Sequence, residues 1–406
     1  RQKQEAVVMY TENFSKKNIK IVIGKLDFNS DIDIAWSDET IEFLNNIYLQ
    51  INKKRIYKKF TDLMTFGFCC RKSNLLKIKS DYEKKYRMFG RGLVLHITPS
   101  NASMNFAFSL AIGLLSGNSN LVRLPQRSFV QTNLLCKIIK KIIHKKNFKN
   151  IRKRVCIVKY EKSNEISAYL SSKVDARIIW GGDETINQFK KYMTKPRCID
   201  LNFSNRYSIC LIKPPLNKIQ GDIANLALRF YNDAYFMDQQ GCSSPQAVIW
   251  LTKEKKCNFK IKFWKKVSEI VEKNYKSDLS TAGKKISLIS ESAIKSNLSF
   301  KTKYKNFKII KINLKNPSKD IEKIKCQFGT FVEIQITNLK DIKNIISKQT
   351  QTMSLFGIEP KEIEGLIQKY KLPGIDRIVP IGRAFDIGPI WDGYDTITSL
   401  SRIIGR

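Results

Sequence analysis

The chain has 406 residues, 42% of them hydrophobic, which suits two to three buried cores at about 150 residues per domain. No apolar run approaches the roughly 18 residues needed to span a bilayer, and Arg1-Gln2-Lys3-Gln4-Glu5 carries no apolar signal-peptide core, so a cytoplasmic location without an integral membrane segment is expected. The formal charge of +37 is spread through nearly every segment rather than gathered on one patch, which argues against a nucleic-acid partner while leaving a field that suits a phosphorylated small molecule.

Residues 1 to about 85 read as a mixed start, with a helix near Asp38-Glu39-Thr40-Ile41-Glu42-Phe43-Leu44 that Ser37 can cap. No chemistry is evident there. Cys69 and Cys70 are adjacent and cannot bridge each other without strain. From Gly90 the text becomes a short buried strand through His96 and Ile97, a polar turn Thr98-Pro99-Ser100-Asn101, and an apolar helix from Phe106 to Leu115. Gly117-Asn118-Ser119-Asn120 punctuates, and Leu121-Val122-Arg123-Leu124-Pro125 is the next strand, completing a βαβ unit. Val155-Cys156-Ile157-Val158, a helix over Asn164 to Leu170, and the strand Ala176 to Trp180 extend the pattern to a doubly wound parallel sheet.

Such sheets bind nucleotides at the carboxyl ends of their strands, a place that Gly181-Gly182 fits as a strand-to-helix turn. The turn is weak evidence alone, because the chain has no GxGxxG and no P-loop, and Asp183 repels phosphate unless it points away.

Further on, Ile223, Leu226, Ala227, Phe230 and Tyr231 repeat at helical spacing, and Gln246-Ala247-Val248-Ile249-Trp250-Leu251 is a β-prone run. Between them lies Met237-Asp238-Gln239-Gln240-Gly241-Cys242-Ser243-Ser244-Pro245, where Gly241 permits close approach by another molecule and Pro245 ends the turn. Most of the nine cysteines sit in apolar contexts, as Cys136, Cys156 and Cys210 do, and are read as core. Cys242, among Gln, Gly and Ser, is the candidate nucleophile. There is no CxxC pair, as expected for thiols kept in a reducing compartment. His96, read as packed in its strand, and His144, among lysines, are the chain's two histidines, so neither a Cys-His dyad nor a histidine metal site is expected.

In order, the Ile97 to Asn101 turn, the segment Gly117 to Arg123, the Trp180-Gly181-Gly182 turn and the Cys242 loop resemble the aldehyde dehydrogenase superfamily. Asp233 to Pro245 and the tail Asp376-Arg377-Ile378-Val379-Pro380-Ile381-Gly382-Arg383-Ala384 resemble more closely the long-chain acyl-CoA reductases of bacterial luminescence systems, with the likeness running from about Gly90 to the end. That resemblance implies an α/β, aldehyde dehydrogenase-like chain: a doubly wound NADP(H)-binding domain over 1–212, an α/β catalytic domain over 213–372, and a segment 373–406 packing back on both.

It implies further that Cys242 accepts the acyl group and that Asn101 supplies the side-chain amide of an oxyanion hole, although Asn101 also reads as a plain turn residue. Asp200 falls where hydrolytic members of the superfamily carry a water-activating glutamate. It is one methylene shorter, which fits a reductive exchange that needs no water, and an ordinary strand-end aspartate is the competing reading. Thr98, Pro99, Gly181 and Gly182 stand at the cofactor turns. Arg123 stands near the adenosine ribose and Gln126 where NAD-dependent members often place a glutamate; a neutral Gln126 beside Arg123 and Arg127 favours NADPH. In Cys326-Gln327-Phe328-Gly329-Thr330, Gln327 replaces the acid that usually contacts the nicotinamide ribose. The expected reaction is NADPH-dependent reduction of a fatty acyl-CoA or acyl-protein thioester to an aldehyde. A homo-oligomer and an acyl-protein synthetase partner are part of the same expectation. An oxidising aldehyde dehydrogenase and a basic nucleic-acid binder are the alternatives.

Overall fold

The computed structural model describes residues 18–83, 87–100, 102–215, 222–277, 279–295, 300–386 and 388–405. The chain forms two compact units, Arg1–Ser204 with Pro389–Arg406, and Asn205–Gly388.

The first unit is built on a six-stranded sheet ordered β1-β5-β4-β3-β6-β7. Its strands are β1 (Lys20–Ile23), β3 (Leu93–Ile97), β4 (Ser119–Arg123), β5 (Val155–Lys159), β6 (Ala176–Trp180) and β7 (Ile199–Phe203). All neighbours run parallel except the edge strand β1, which pairs antiparallel with β5 and which its short, lysine-flanked sequence does not announce. Every residue of β3 is buried, as a central strand covered on both faces requires. From β3 the chain adds β4 and β5 on one side and then crosses to add β6 and β7 on the other, so the winding reverses at β3.

Helix Asn105–Leu115 follows β3, and its return needs Gly117 at φ 82°, where a Cβ would meet the Asp33 carbonyl oxygen at 2.2 Å. His96 is fully buried in β3, with Nδ1 2.8 Å from Ser109 Oγ and Nε2 3.0 Å from Asn120 Oδ1. Burial lowers its pKa to about 4, so the ring is neutral and belongs to the core. Residues 389–405 complete this unit: the strand Ser401–Ile403 pairs with β2 (Met88–Gly90), and Asn118 Nδ2 donates to the Leu400 carbonyl at 2.9 Å.

The second unit carries a seven-stranded sheet ordered β10-β11-β12-β9-β8-β13-β14. These are β8 (Tyr207–Ile212), β9 (Pro245–Leu251), β10 (Phe300–Asn306), β11 (Ile309–Leu314), β12 (Thr330–Ile336), β13 (Thr350–Phe356) and β14 (Arg377–Pro380). Only β10 is antiparallel to its neighbour. Strand alternation splits the side chains between two cores. Ile209, Leu211 and Ile249 pack on one face with Ile363, while Cys210, Val248 and Trp250 pack on the other with Phe230, Phe263 and Val267.

The division differs from the one expected at 212 and 372. Tyr207–Ile212 is apolar enough for either sheet, but its hydrogen bonds run to β9 and β13, so it opens the second unit. The tail is divided: β14 extends the second sheet, and residues from Pro389 onward belong to the first unit. Among the described residues no helix is long and apolar enough to cross a membrane, and no cluster of three or more histidine, cysteine or acidic side chains is arranged to hold a metal ion.

Candidate active site

Cys242 lies just before β9, at the amino-terminal edge of the parallel strands of the second unit. The helix Ile223–Tyr235 delivers the loop, and its turn is built from three consecutive non-glycine residues in the left-handed region, Met237, Asp238 and Gln239, at φ 52°, 56° and 62°. Such a run is held by its surroundings rather than by its own preference. Gln239 supplies much of that hold. Its buried carboxamide donates to the carbonyls of Pro245 (2.9 Å) and Thr330 (2.8 Å) and accepts from the N–H groups of Gly329 (2.9 Å) and Thr330 (3.1 Å). The Phe328 N–H donates to the Asp238 carbonyl at 2.9 Å, and the Tyr275 hydroxyl donates to Asp238 Oδ1 at 2.9 Å.

The loop is thereby bound to the Gln327-Phe328-Gly329 turn, so the structure brings together two segments that the sequence singles out separately. Phe328 is buried and itself left-handed at φ 56°, while Gln327 is half-buried. Gly241 meets this chain's own side chain: a Cβ there would lie 2.6 Å from the Phe385 ring, which also packs edge-on against Phe236. The close approach read from the sequence as room for another molecule is taken by Phe385.

The half-buried Cys242 sulphur accepts a hydrogen bond from Gln351 Nε2 at 3.4 Å, and the Cys242 carbonyl accepts from Ser208 Oγ at 2.6 Å. Gln351 Oε1 lies 3.2 Å from Ser243 Oγ and 3.3 Å from Thr352 Oγ1. Arg377 Nη1 reaches Ser243 Oγ at 3.5 Å and is fixed by the carbonyls of Ala384 and Asp386. Asp233, on the delivering helix, accepts from the N–H groups of Gly382 (2.6 Å) and Ala384 (3.1 Å), and burial raises its pKa to about 6 against the lowering effect of those bonds. Other thiols are locked: burial pushes Cys136, Cys156 and Cys326 up to about 12, and Cys70 well above its ordinary value. Among the described residues no disulfide joins any cysteine.

Ser208, Gln351 and Arg377 were not singled out as site residues by sequence reasoning. Gln351 had one signal, a polar Thr-Gln-Thr triplet opening the strand Thr350–Phe356, which places uncharged hydrogen-bonding groups at its buried start.

In the first unit, the proposed cofactor residues gather at the carboxyl edge of the sheet, where the winding reverses. Buried Thr98 donates from Oγ1 to the Arg123 carbonyl at 2.8 Å, tying the ends of β3 and β4, and Pro99 follows half-buried. The Arg123 guanidinium lies 4.5 Å from the centre of the Tyr160 ring and donates from Nη2 to the Tyr160 carbonyl, while its buried Nε has no protein partner. Gln126 and Arg127 are exposed. Gly182 caps the helix Asp183–Lys190 without a side chain, and a Cβ on Gly181 would lie 3.1 Å from Thr185, so the turn packs tightly on the helix. Exposed Asp183 and Glu184 already complement that helix end. Asp200, at the start of β7, is paired with Arg177 on β6. Asn101 lies outside the described residues.

The acyl-CoA reductase (LuxC) family matches residues 11–403. A curated relative, the long-chain acyl-protein thioester reductase of Aliivibrio fischeri, is 24% identical over 163 residues, a match that spans 40% of this chain and 32% of that protein. Among solved structures, a variant of the Thermus thermophilus 1-pyrroline-5-carboxylate dehydrogenase superposes with TM-score 0.64 at 10% identity, covering 100% of this chain and 96% of its own. PnpE in complex with nicotinamide adenine dinucleotide superposes with TM-score 0.63 at 12% identity, covering 90% and 85%. At these identities the structural likeness establishes the aldehyde dehydrogenase fold.

Proposed function

The chain belongs to the acyl-CoA reductase (LuxC) family, and from that premise we propose that it reduces a long-chain fatty acyl thioester, presented as acyl-CoA or on a protein, to the aldehyde through an acyl group carried on Cys242. The observation that carries this is the Cys242 sulphur, half-buried on a braced loop with the Gln351 N–H 3.4 Å away, against other thiols that burial holds protonated.

In this reaction the Cys242 thiolate attacks the thioester carbonyl carbon, a C–S bond forms to the enzyme, and the donor thiolate leaves, so the exchange is close to energy-neutral and needs no activated water. The Cys242 backbone N–H is the proposed donor to the oxyanion, contributing about 3 kcal/mol to the tetrahedral state. Asp200 holds β6 to β7 through Arg177 rather than acting on water.

The residues of the first unit fit a nicotinamide dinucleotide: a winding reversal at β3, a glycine turn, and an Arg123 Nε without a protein partner. When bound, that cofactor supplies the hydride that reduces the acyl carbon. Thr98 and Pro99 shape the turn, Gly181 and Gly182 admit it, and Arg123 beside an uncharged Gln126 suits the extra phosphate of NADPH. Collapse of the reduced adduct returns the Cys242 thiolate and frees the aldehyde.

Intact-protein mass spectrometry after exposure to a long-chain acyl-CoA without NADPH tests this. The expected result is one acyl group, mapped by peptide analysis to Cys242 and discharged on adding NADPH. An unmodified protein, or an acyl group on another cysteine, overturns it.

A further inference from the structure

Cysteine nucleophiles are commonly activated by a neighbouring imidazole. The second unit contains no histidine: His96 is a neutral core residue of the first unit, and His144 caps the helix Val130–Ile143 there. What the loop offers instead is an ordered set of hydrogen bonds.

Ser208 has one hydroxyl hydrogen, and its shortest partner is the Cys242 carbonyl at 2.6 Å, while its oxygen accepts the Thr352 N–H at 3.2 Å. Its hydrogen is therefore not available to Gln351 Oε1 at 3.4 Å. That oxygen takes the hydrogens of Ser243 and Thr352, and Ser243 Oγ in turn faces Arg377 Nη1. Along these three bonds the hydrogens point one way: guanidinium to Ser243, Ser243 to the Gln351 oxygen, and the Gln351 N–H to sulphur. Hydrogen bonds in such a chain polarise one another, and the effect is strongest where water is excluded. Ser243 and Gln351 are 1% and 0% exposed.

We infer that this relay, Arg377 through Ser243 and Gln351 to Cys242, stabilises the Cys242 thiolate and takes the place of a histidine base, with Gln351 the group in contact with the reacting sulphur. The inference rests on Cys242 being the acyl acceptor. The thiol proton passes to solvent, and no member of the relay changes its own protonation. The charged groups on the packed elements are engaged elsewhere: Asp233 by the Gly382 and Ala384 N–H groups, Asp238 by Tyr275, Asp386 by Arg383, and Asp376 by Arg206. Arg377 is the cation that the chain of hydrogen bonds connects to the sulphur.

The test is the pH dependence of Cys242 alkylation by iodoacetamide, followed by peptide mass spectrometry so that the other cysteines do not contribute. Gln351→Met removes the donor at similar volume and is expected to move the midpoint upward by about one pH unit, a tenfold slower alkylation below both midpoints. Ser243→Ala is expected to move it the same way by less. If Gln351→Met does not fold by circular dichroism, Gln351→Glu carries the test, since a carboxylate near the sulphur must raise the midpoint further. Unchanged midpoints in the folded variants overturn the relay. Alkylation needs neither acyl donor nor cofactor, so a shifted midpoint without acyl-enzyme would sink the proposed reaction alone, and acyl-enzyme with an unshifted midpoint would sink the relay alone.

Discussion

The Arg177 guanidinium grips both carboxylate oxygens of Asp200, its register partner across β6 and β7, with Nε 2.7 Å from Oδ1 and Nη2 2.5 Å from Oδ2. Arg177 is 3% exposed and also donates from Nη1 to the Phe189 carbonyl, so all of its reach is spent within the first unit. A carboxylate held bidentately by a buried guanidinium accepts rather than abstracts. Asp200→Asn is therefore expected to act on stability, costing about 2 kcal/mol, below the cost of breaking a fully buried pair because the Asp200 side chain is 23% exposed. Urea unfolding reads that loss, and NADPH consumption per folded molecule should fall less than about threefold. A rate as low as that of Cys242→Ala would instead make Asp200 an essential acid-base.

Cys242→Ala is expected to abolish acyl-enzyme and aldehyde formation, and Cys242→Ser to leave at most a trace, because an alcohol is far less ionised than a thiol near neutral pH. Nucleotide affinity should hold in both, measured by fluorescence titration. Cys210→Ala makes the contrast: the thiol is fully buried in a core, so its loss should lower stability while acylation persists. Loss of acylation in Cys210→Ala with a retained fold would count against Cys242 as the acceptor.

The βαβ run from Leu93 to Trp180 was legible because buried parallel strands read as continuous apolar stretches and the turns between them carry glycine and asparagine. The Cys242 loop was legible for the opposite reason, a polar nonamer between two apolar elements. What stayed hidden depends on tertiary partners. Gln351 is 109 residues from Cys242 and Arg377 is 134 from Ser243, so no local spacing links them. The assignment of β8 to the second sheet, and the division of the tail at Pro389, follow from strand pairing that an apolar hexamer cannot specify by itself. The Arg177 partner of Asp200 was hidden in the same way, because a strand-end acid looks the same whether it faces a cleft or an arginine on the next strand.

Gln239 makes four hydrogen bonds at 1% exposure and binds the cysteine loop to the start of β12. Gln239→Glu keeps the acceptor and loses both donors, leaving the carbonyls of Pro245 and Thr330 facing a buried charge. The expected cost is about 3 kcal/mol or more, since each unsatisfied buried group costs about 1–3 kcal/mol. Chemical denaturation should show it, with acylation by acyl-CoA slowed even where the fold survives. A variant as stable and as readily acylated as the parent would mean that the left-handed turn holds itself.

Cofactor choice should turn on Arg123 and Gln126. Arg123 is held against Tyr160 and Gln126 is exposed beside it in sequence, so Gln126→Glu adds a negative charge without disturbing the core. The parent is expected to use NADPH better than NADH, and Gln126→Glu to cut that preference about tenfold, equivalent to about 1.4 kcal/mol at the 2′-phosphate. Initial rates with each cofactor decide it. Equal use of both by the parent would remove the role proposed for Arg123.

Asp233 gives the fold a pH dependence whose sign can be worked out. Burial raises its carboxyl from 3.8 to about 6, outweighing the Gly382 and Ala384 N–H groups that lower it. A folded-state pKa above the unfolded one means that the native chain holds the proton more tightly. The stabilising contribution is complete below about pH 4 and is lost as pH rises through about 6, at up to about 1.4 kcal/mol per pH unit for one proton. Other carboxylates titrate in the same window, so the measurement is a difference: urea midpoints from pH 4 to 7 for the parent and for Asp233→Asn. The parent should lose stability relative to the variant as pH rises across this window, even though Asn is the poorer partner for two backbone N–H groups and is less stable at its low end. Parallel curves would show that Asp233 has an ordinary pKa and that the tail from Gly382 to Ala384 is held by a carboxylate already charged at pH 4.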